Sequence, residues 1–328
     1  MSEQPSNTGD FSAKSSDDIA ALAKGGKTNV FGFALRLAAR IPFLFIIGWL
    51  YAKEDVGRFA YAILVVEFAA QLSAIGLRRG LAELLSNDDR PHANIIADGL
   101  LLGLLASSIG VVILVAFPEI MFQNSQVNGM DRFFPLVIFI IVSTEISLAA
   151  LAYRFDIASA VRARAVVEPW MLCIAGFVLF FIIPRDGLII SYLIAMTSAF
   201  IAALIPLYRA YGLPKNWQMN PLALWQTARR NAPLAITDAI EWGSRRMDLA
   251  ILGLFVSPSI AGTYYILQQI ASLPQKLKTS FDPILGPVIT RCIKEKRYKD
   301  IGKQVGQVGF WIIAAQTALA LGLSLIHI

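Results

Sequence analysis

The chain has 328 residues, 56% hydrophobic and only 16% charged, with a mean hydropathy of +0.60 and a formal net charge of +6. That balance is too apolar for a domain solvated mainly by water, and it excludes an ordinary soluble enzyme. The basic residues are scattered over loop ends rather than gathered on one soluble face, so no nucleic-acid partner is expected.

Residues 1–26 are polar and rich in Ser, Asp and Lys, without an apolar stretch leading to a small-residue cleavage site. They read as a disordered cytoplasmic tail rather than a signal peptide, the first helix being its own insertion signal. Apolar windows follow at 28–51, 56–85, 95–117, 133–153, 166–183, 187–208, 233–256, 261–289 and 305–328. A bilayer core of roughly 30 Å needs about 20 apolar helical residues, so these predict eight complete spans and an interrupted ninth. They lack the strict alternation of barrel strands, and the fold class expected is therefore an all-α polytopic membrane protein.

Turn and cap signals stand between the windows, among them Asp55-Val-Gly57, Asn87-Asp-Asp-Arg-Pro91, Pro184-Arg-Asp-Gly187 and Ser257-Pro-Ser259. The stretch Asn220 to Arg230 (N-P-L-A-L-W-Q-T-A-R-R) opens on a cap-forming Asn with Pro at the first helical position. It reads as a helix in the cytoplasmic interface, with an ordinary loop as the alternative. The organisation expected is a tail (1–26), a first lobe of six spans (27–211), an interfacial linker (212–231) and a partial second lobe (232–328).

Orientation follows from the cations. With the tail inside, it and every second loop with the adjoining helix ends hold Lys14, Lys24 and Lys27; Arg78, Arg79 and Arg90; Arg154, Arg162 and Arg164; Arg209, Lys215, Arg229 and Arg230; and six more between Arg291 and Lys303. The opposite loops hold only Lys53, Arg58, Arg132 and Arg185. This excess places the amino terminus in the cytoplasm.

Shifting the chain by 205 residues lays Arg40 on Arg245, Gly48 on Gly253, Gly57 on Gly262 and Phe59 on Tyr264. The first helix pair thus recurs as the seventh and eighth. Six spans, an even number, separate the copies, so they share one orientation and an axis along the membrane normal.

Six cations remain inside apolar windows: Arg36, Arg40, Arg245, Arg246, Lys276 and Lys278. Each costs roughly 2.5 to 3.5 kcal/mol at the centre of an isolated helix, so such residues usually face a bundle interior or a wet cavity. Arg36 and Arg40 stack on one helix face, and Arg245 holds the matching place in the second repeat. Arginines on both walls of one chamber suit an anion such as pyrophosphate, which guanidinium binds in bidentate fashion. The competing reading has these cations reaching the headgroups or pairing with Asp238, Glu241, Asp248 and Asp282, with Arg246 and Asp248 as one pair. Glu67 and Glu145 are candidates for binding a coupling proton or sodium ion, or counter-charges for the arginines; Asp248 is a further coupling candidate. Cys173 and Cys292 share no short spacing and the histidines are His92 and His327, so no metal or other cofactor is expected.

Three stretches carry a family likeness: G-W-L-Y-A-K-E-D-V-G-R-F-A-Y from Gly48 to Tyr61, A-I-G-L-R-R-G from Ala74 to Gly80, and R-R-M-D-L-A-I-L-G-L-F-V-S-P-S-I-A-G-T-Y-Y from Arg245 to Tyr265. Together with Pro283, Pro287 and the basic run from Arg291 to Lys303, they resemble the O-antigen type polysaccharide flippases of the multidrug/oligosaccharidyl-lipid/polysaccharide exporter superfamily. The resemblance implies a two-lobed transporter of the bacterial cytoplasmic (inner) membrane, serving lipopolysaccharide assembly beside other polysaccharide-assembly proteins. Alternating access would move an undecaprenyl-pyrophosphate-linked oligosaccharide across the bilayer, and cavity arginines, here Arg36, Arg40 and Arg245, would hold the pyrophosphate. A cation-coupled multidrug exporter of the same superfamily is the first alternative. Some of those carry an essential carboxylate in the first helix, where this chain has arginines. A membrane-bound polymerase or glycosyltransferase is the second alternative, for which the outer loops are short, and a scaffold or channel the third. The family has twelve or more spans, and the final L-S-L-I-H-I (Leu323 to Ile328) back-translates readily to a transposon end used in sequencing libraries, so a truncated reading frame is expected.

Overall fold

In lipid every backbone polar group must be satisfied within the segment, and the described residues of the apolar windows do so almost entirely as helix. The computed structural model describes residues 35–128 and 130–272, with short helical stretches between positions 306 and 321. The tail, Lys276, Lys278, Cys292 and most of the expected ninth span lie outside the described residues. Leu35–Ile270 forms one compact unit.

Helix α1 covers residues 35–49. It is followed by α2 (Lys53–Ser73), α3 (Leu77–Asn87), α4 (His92–Ala116) and, after a 3₁₀ turn at Asp131–Leu136, α5 (Val137–Tyr153). Next come α6 (Ile157–Val161), α7 (Glu168–Phe180), α8 (Gly187–Tyr211), α9 (Pro221–Ser244), α10 (Met247–Phe255) and α11 (Pro258–Ala271). Among the described residues every element is helical, and five helical stretches are long and apolar enough to cross a membrane: Lys53–Asn87, His92–Ala116, Asp131–Tyr153, Ile157–Phe180 and Gly187–Tyr211. The protein is a multi-pass membrane protein. Helix α5 is its central post, packing on α2, α3, α4 and α8, and it buries Val137, Ile138, Ile146 and Leu151 completely.

Three departures from regular helix shape the interior. Between α2 and α3, Ile75 (φ +46°) and Gly76 (φ +66°) are left-handed, a strained state for a β-branched residue. Gly76 also admits α9: a Cβ there would lie 2.6 Å from the Asn231 carbonyl oxygen. Between α6 and α7, residues Arg162–Val167 form a wide π turn. Pro169 follows directly, and its missing N–H and bulky ring would break a tight α turn, so the wider coil upstream absorbs the mismatch. Third, the expected linker helix and seventh span are one continuous helix. Asn220 caps it, its side chain accepting from Leu222 N and Ala223 N, and Pro233 is accommodated inside it. The interruption falls instead at Arg245 and Arg246, before α10.

The repeat has a direct structural counterpart. A Cβ on Gly57 would meet the Pro258 oxygen at 1.8 Å, and one on Gly262 would meet the Lys53 oxygen at 2.1 Å. Lys53 and Pro258, like Gly57 and Gly262, are related by the 205-residue shift. The contact is therefore reciprocal, as a two-fold relation between α2 and α11 requires, and small residues let the two backbones touch as they do in membrane bundles.

Candidate functional site: a charged cluster between the repeats

Charge inside the bundle is the costly feature of this sequence, so its placement defines the site. Glu67 on α2 accepts from the Tyr192 hydroxyl of α8 at 2.9 Å and from Arg246 Nη1 at 2.5 Å. Arg246 occupies the break between α9 and α10, with its guanidinium 4.7 Å from the Trp242 ring centroid, a cation–π distance. A carboxylate of the first repeat is thereby tied to a cation of the second.

The π turn presents Arg164 to two carboxylates, Glu168 at 2.7 Å and Glu145 of α5. Arg36 donates to the backbone oxygen of Arg164 at 2.9 Å and lies within electrostatic range of Glu168 and Arg40. Arg40 donates to the side-chain oxygen of Gln269 on α11, and Tyr265 of that helix interacts with Arg40, Arg246 and Glu67. Tyr192 bridges the halves, interacting with Glu67, Glu168 and Arg164. The cluster thus contains four guanidiniums (Arg36, Arg40, Arg164, Arg246) and three carboxylates (Glu67, Glu145, Glu168). Its ion pairs fall on Arg164 and Arg246. Arg36 and Arg40 form none among the described residues; their hydrogen-bond acceptors are neutral. Among these seven groups one positive charge is left over, and it resides on α1.

Several expectations need correction in detail. Arg245 does not join Arg40. It ends α9, its side chain is 74% exposed, and it pairs with Glu241 at 2.6 Å. The non-helical φ of −133° at Arg246 turns the chain there, so Arg246 and not Arg245 faces the first repeat. Arg246 and Asp248 do not pair either; Asp248 accepts from Tyr264 and Gln268. Glu67 and Glu145 are both counter-charges of arginines in this structure.

A second group of charges joins α3 to α9 near Asn87. Buried Asp238 forms an ion pair with Arg79 Nε at 2.8 Å and accepts a hydrogen bond from Arg78 at 3.4 Å, Glu241 links Arg79 to Arg245, and Arg230 pairs with Glu83. The acidic turn at Asn87 to Asp89 is an Asx turn between α3 and α4 rather than a helix cap: Asp88 Oδ1 accepts the Arg90 backbone N–H at 3.0 Å, and α4 starts after Pro91 without a side-chain cap. Arg90's hydrogen bonds hold the Asp88 carboxyl below its usual range, and Asp88 in turn pushes the guanidinium up.

At the opposite end, near Gly57, Arg58 is 3% exposed and pairs at 2.8 Å with Asp131, which is fully buried. By its place in the sequence Arg58 is a loop cation. The signal that could have found it is Asp131 and Asp186, two acids in loops of the same side. A cavity of about 1010 Å³ opens beside this pair, lined by Glu54, Asp55, Arg58, Glu119, Phe122, Gln123, Asn124, Ser125, Gln126 and Arg185.

The family model described as "Polysaccharide biosynthesis protein" matches residues 46–312, well over half of the chain. The chain belongs to that family. None of the curated protein sequences compared matches this chain. Its fold is shared with solved transporters. A multidrug resistance MATE family transporter of the MOP superfamily, in an outward-facing conformation, superposes with a TM-score of 0.55 at 14% identity, over 89% of this chain and 73% of that one. A MATE in complex with Br-NRF gives 0.53 at 13%, over 84% and 73%. A MATE carrying a single proline-to-alanine substitution gives 0.52 at 14%, over 91% and 77%. At these identities the likeness is one of fold, and it agrees with the two-lobed helical transporter expected from the repeat.

Proposed function

We propose that the protein is a flippase: it moves a lipid-pyrophosphate-linked oligosaccharide across the bacterial cytoplasmic membrane for polysaccharide export, by alternating access between its two repeats. The observation that carries this reading is the pair Arg36 and Arg40 of α1, whose acceptors among the described residues are neutral. A doubly charged pyrophosphate supplies the counter-charge they lack among the described residues, and charge-assisted hydrogen bonds to it are each worth about 1.5–3 kcal/mol. Arg246 offers the cation of the second repeat, with Arg245, Lys276 and Lys278 as further contacts on the path. The amino terminus lies in the cytoplasm, so the α3–α9 ion pairs close the entry side. Rocking of the repeats about the Gly57–Gly262 contact would part Glu67 from Arg246, freeing a carboxylate for a coupling proton or sodium ion; Glu145 and Asp248 are the other candidates. A cationic drug as cargo is opposed by the same excess of positive charge.

The test is binding of undecaprenyl pyrophosphate, without sugar, to purified protein in nanodiscs. Removing one bidentate arginine costs more than the 1.4 kcal/mol of a tenfold change, so Arg36→Ala and Arg40→Ala should each weaken binding at least tenfold. Equal affinity in the folded double variant overturns the assignment.

A further inference from the structure

The cavity beside Gly57 is assigned no role by the mechanism above, and its wall differs in kind from the arginine cluster. Three carboxylates, Glu54, Asp55 and Glu119, face only two arginines, Arg58 and Arg185. Arg58 is already committed to Asp131, with Asp186 Oδ1 3.8 Å from its second terminal nitrogen. The wall is therefore net negative and repels a pyrophosphate. Its remaining polar groups are amides and a hydroxyl, from Gln123, Asn124, Gln126 and Ser125. Carboxylates, amides and hydroxyls together both accept and donate hydrogen bonds at close spacing, which is what a surface of sugar hydroxyls requires. The volume of about 1010 Å³ is at the upper end of the roughly 300–1,000 Å³ of ligand clefts, enough for several sugar rings.

The site is built rather than incidental. Asn128 aligns its floor, receiving Met130 and Asp131 N–H groups on its side-chain oxygen and donating to Asp186. Asn124, itself left-handed at φ +56°, fastens the rim to the Val256 carbonyl at the end of α10. Beneath this floor the Nε and Nη1 of Arg58, a side chain 2% exposed, have no hydrogen-bond acceptor among the described residues, and the Phe122 ring covers them at 5.1 Å.

We infer that this cavity is a saccharide-binding vestibule that takes the glycan of the cargo, separately from the arginine cluster that takes its pyrophosphate. The inference rests on the flippase reading, and the two can fail independently. The probe is the repeat-unit oligosaccharide of the host's own polysaccharide, released from the polymer and free of lipid and phosphate, presented to purified protein and read by saturation-transfer NMR. Glu119 and Gln123 make no side-chain hydrogen bond among the described residues, so Glu119→Gln and Gln123→Ala leave the fold intact. The expected result is oligosaccharide binding that these variants weaken at least tenfold, while binding of undecaprenyl pyrophosphate is unchanged. No binding by the wild type, unchanged binding in the double variant, or a cavity that takes calcium ions and not the oligosaccharide, would each overturn the vestibule. If pyrophosphate-lipid binding is retained and depends on Arg36 and Arg40, the flippase reading survives that failure. If neither ligand binds, both fall.

Discussion

Replacing Gly57 with Ala adds one methyl group at the most crowded point of the repeat interface. That carbon would lie 1.8 Å from the Pro258 oxygen and 2.6 Å from its carbonyl carbon, where ordinary contact begins near 3.4 Å. Both neighbours are backbone, so no side chain can swing away; α2 and α11 must part by about 1.6 Å, the difference between those distances. Overpacking of this kind costs about 1–3 kcal/mol. Gly262→Ala strikes the same contact from the other side, against Lys53 O at 2.1 Å, and should cost a similar amount. Once one substitution has separated the helices, the second meets open space, so the double variant should cost clearly less than the sum. Unfolding of each variant by SDS titration in mixed micelles measures the three values. Single variants as stable as the parent, or a strictly additive double, would refute the reciprocal contact and with it the two-fold relation of the repeats.

The remaining predictions concern the charges and caps. Asp131→Ala strands the buried Arg58 guanidinium and should destabilise by about 3–5 kcal/mol, whereas Arg58→Met with Asp131→Leu should recover most of that loss in the same titration. Pro169→Ala should allow a regular α turn in place of the π turn, rotating Arg164 from Glu145; export should fall while the protein still inserts, and unchanged export counts against a role for the wide turn. Asn220→Ala should cost about 1 kcal/mol by removing the cap of α9. For Asp88, whose folded carboxyl is held below its unfolded value of about 3.9, stabilisation is present above that pH and fades as pH falls through the folded value. Thermal melts at falling pH should therefore show a smaller acid-side loss for Asp88→Asn than for the parent, and identical slopes would contradict the pairing.

Much of the architecture is legible in residue order because lipid leaves few choices. Apolar runs of span length become helices, Gly and Pro punctuate them, and the Asn220-Pro221 pair starts α9 as its chemistry dictates. The repeat is legible too, since Gly57 and Gly262 mark the place where the backbones of α2 and α11 touch. What escapes is anything set by a single turn of register. Arg245 and Arg246 are adjacent, and only the break after Ser244 decides that the second faces Glu67. Arg164 reads as a loop cation because Arg162 to Val167 borders an apolar window; the π turn ahead of Pro169 carries it inside to Glu145. Arg58 reads the same way, since its seal of Asp131, Asn128 and Asp186 comes from loops far along the chain. Pro233 misleads in the opposite direction, suggesting a boundary inside a helix that runs through it.

In the proposed mechanism the arginines of α1 hold the cargo's pyrophosphate, and the whole of it depends on them. The most direct measurement is translocation of a fluorescent undecaprenyl-pyrophosphate oligosaccharide between leaflets of reconstituted vesicles. Flipping should be present with the parent protein and absent with the folded Arg36→Ala/Arg40→Ala variant. Undiminished flipping by that variant would contradict the mechanism.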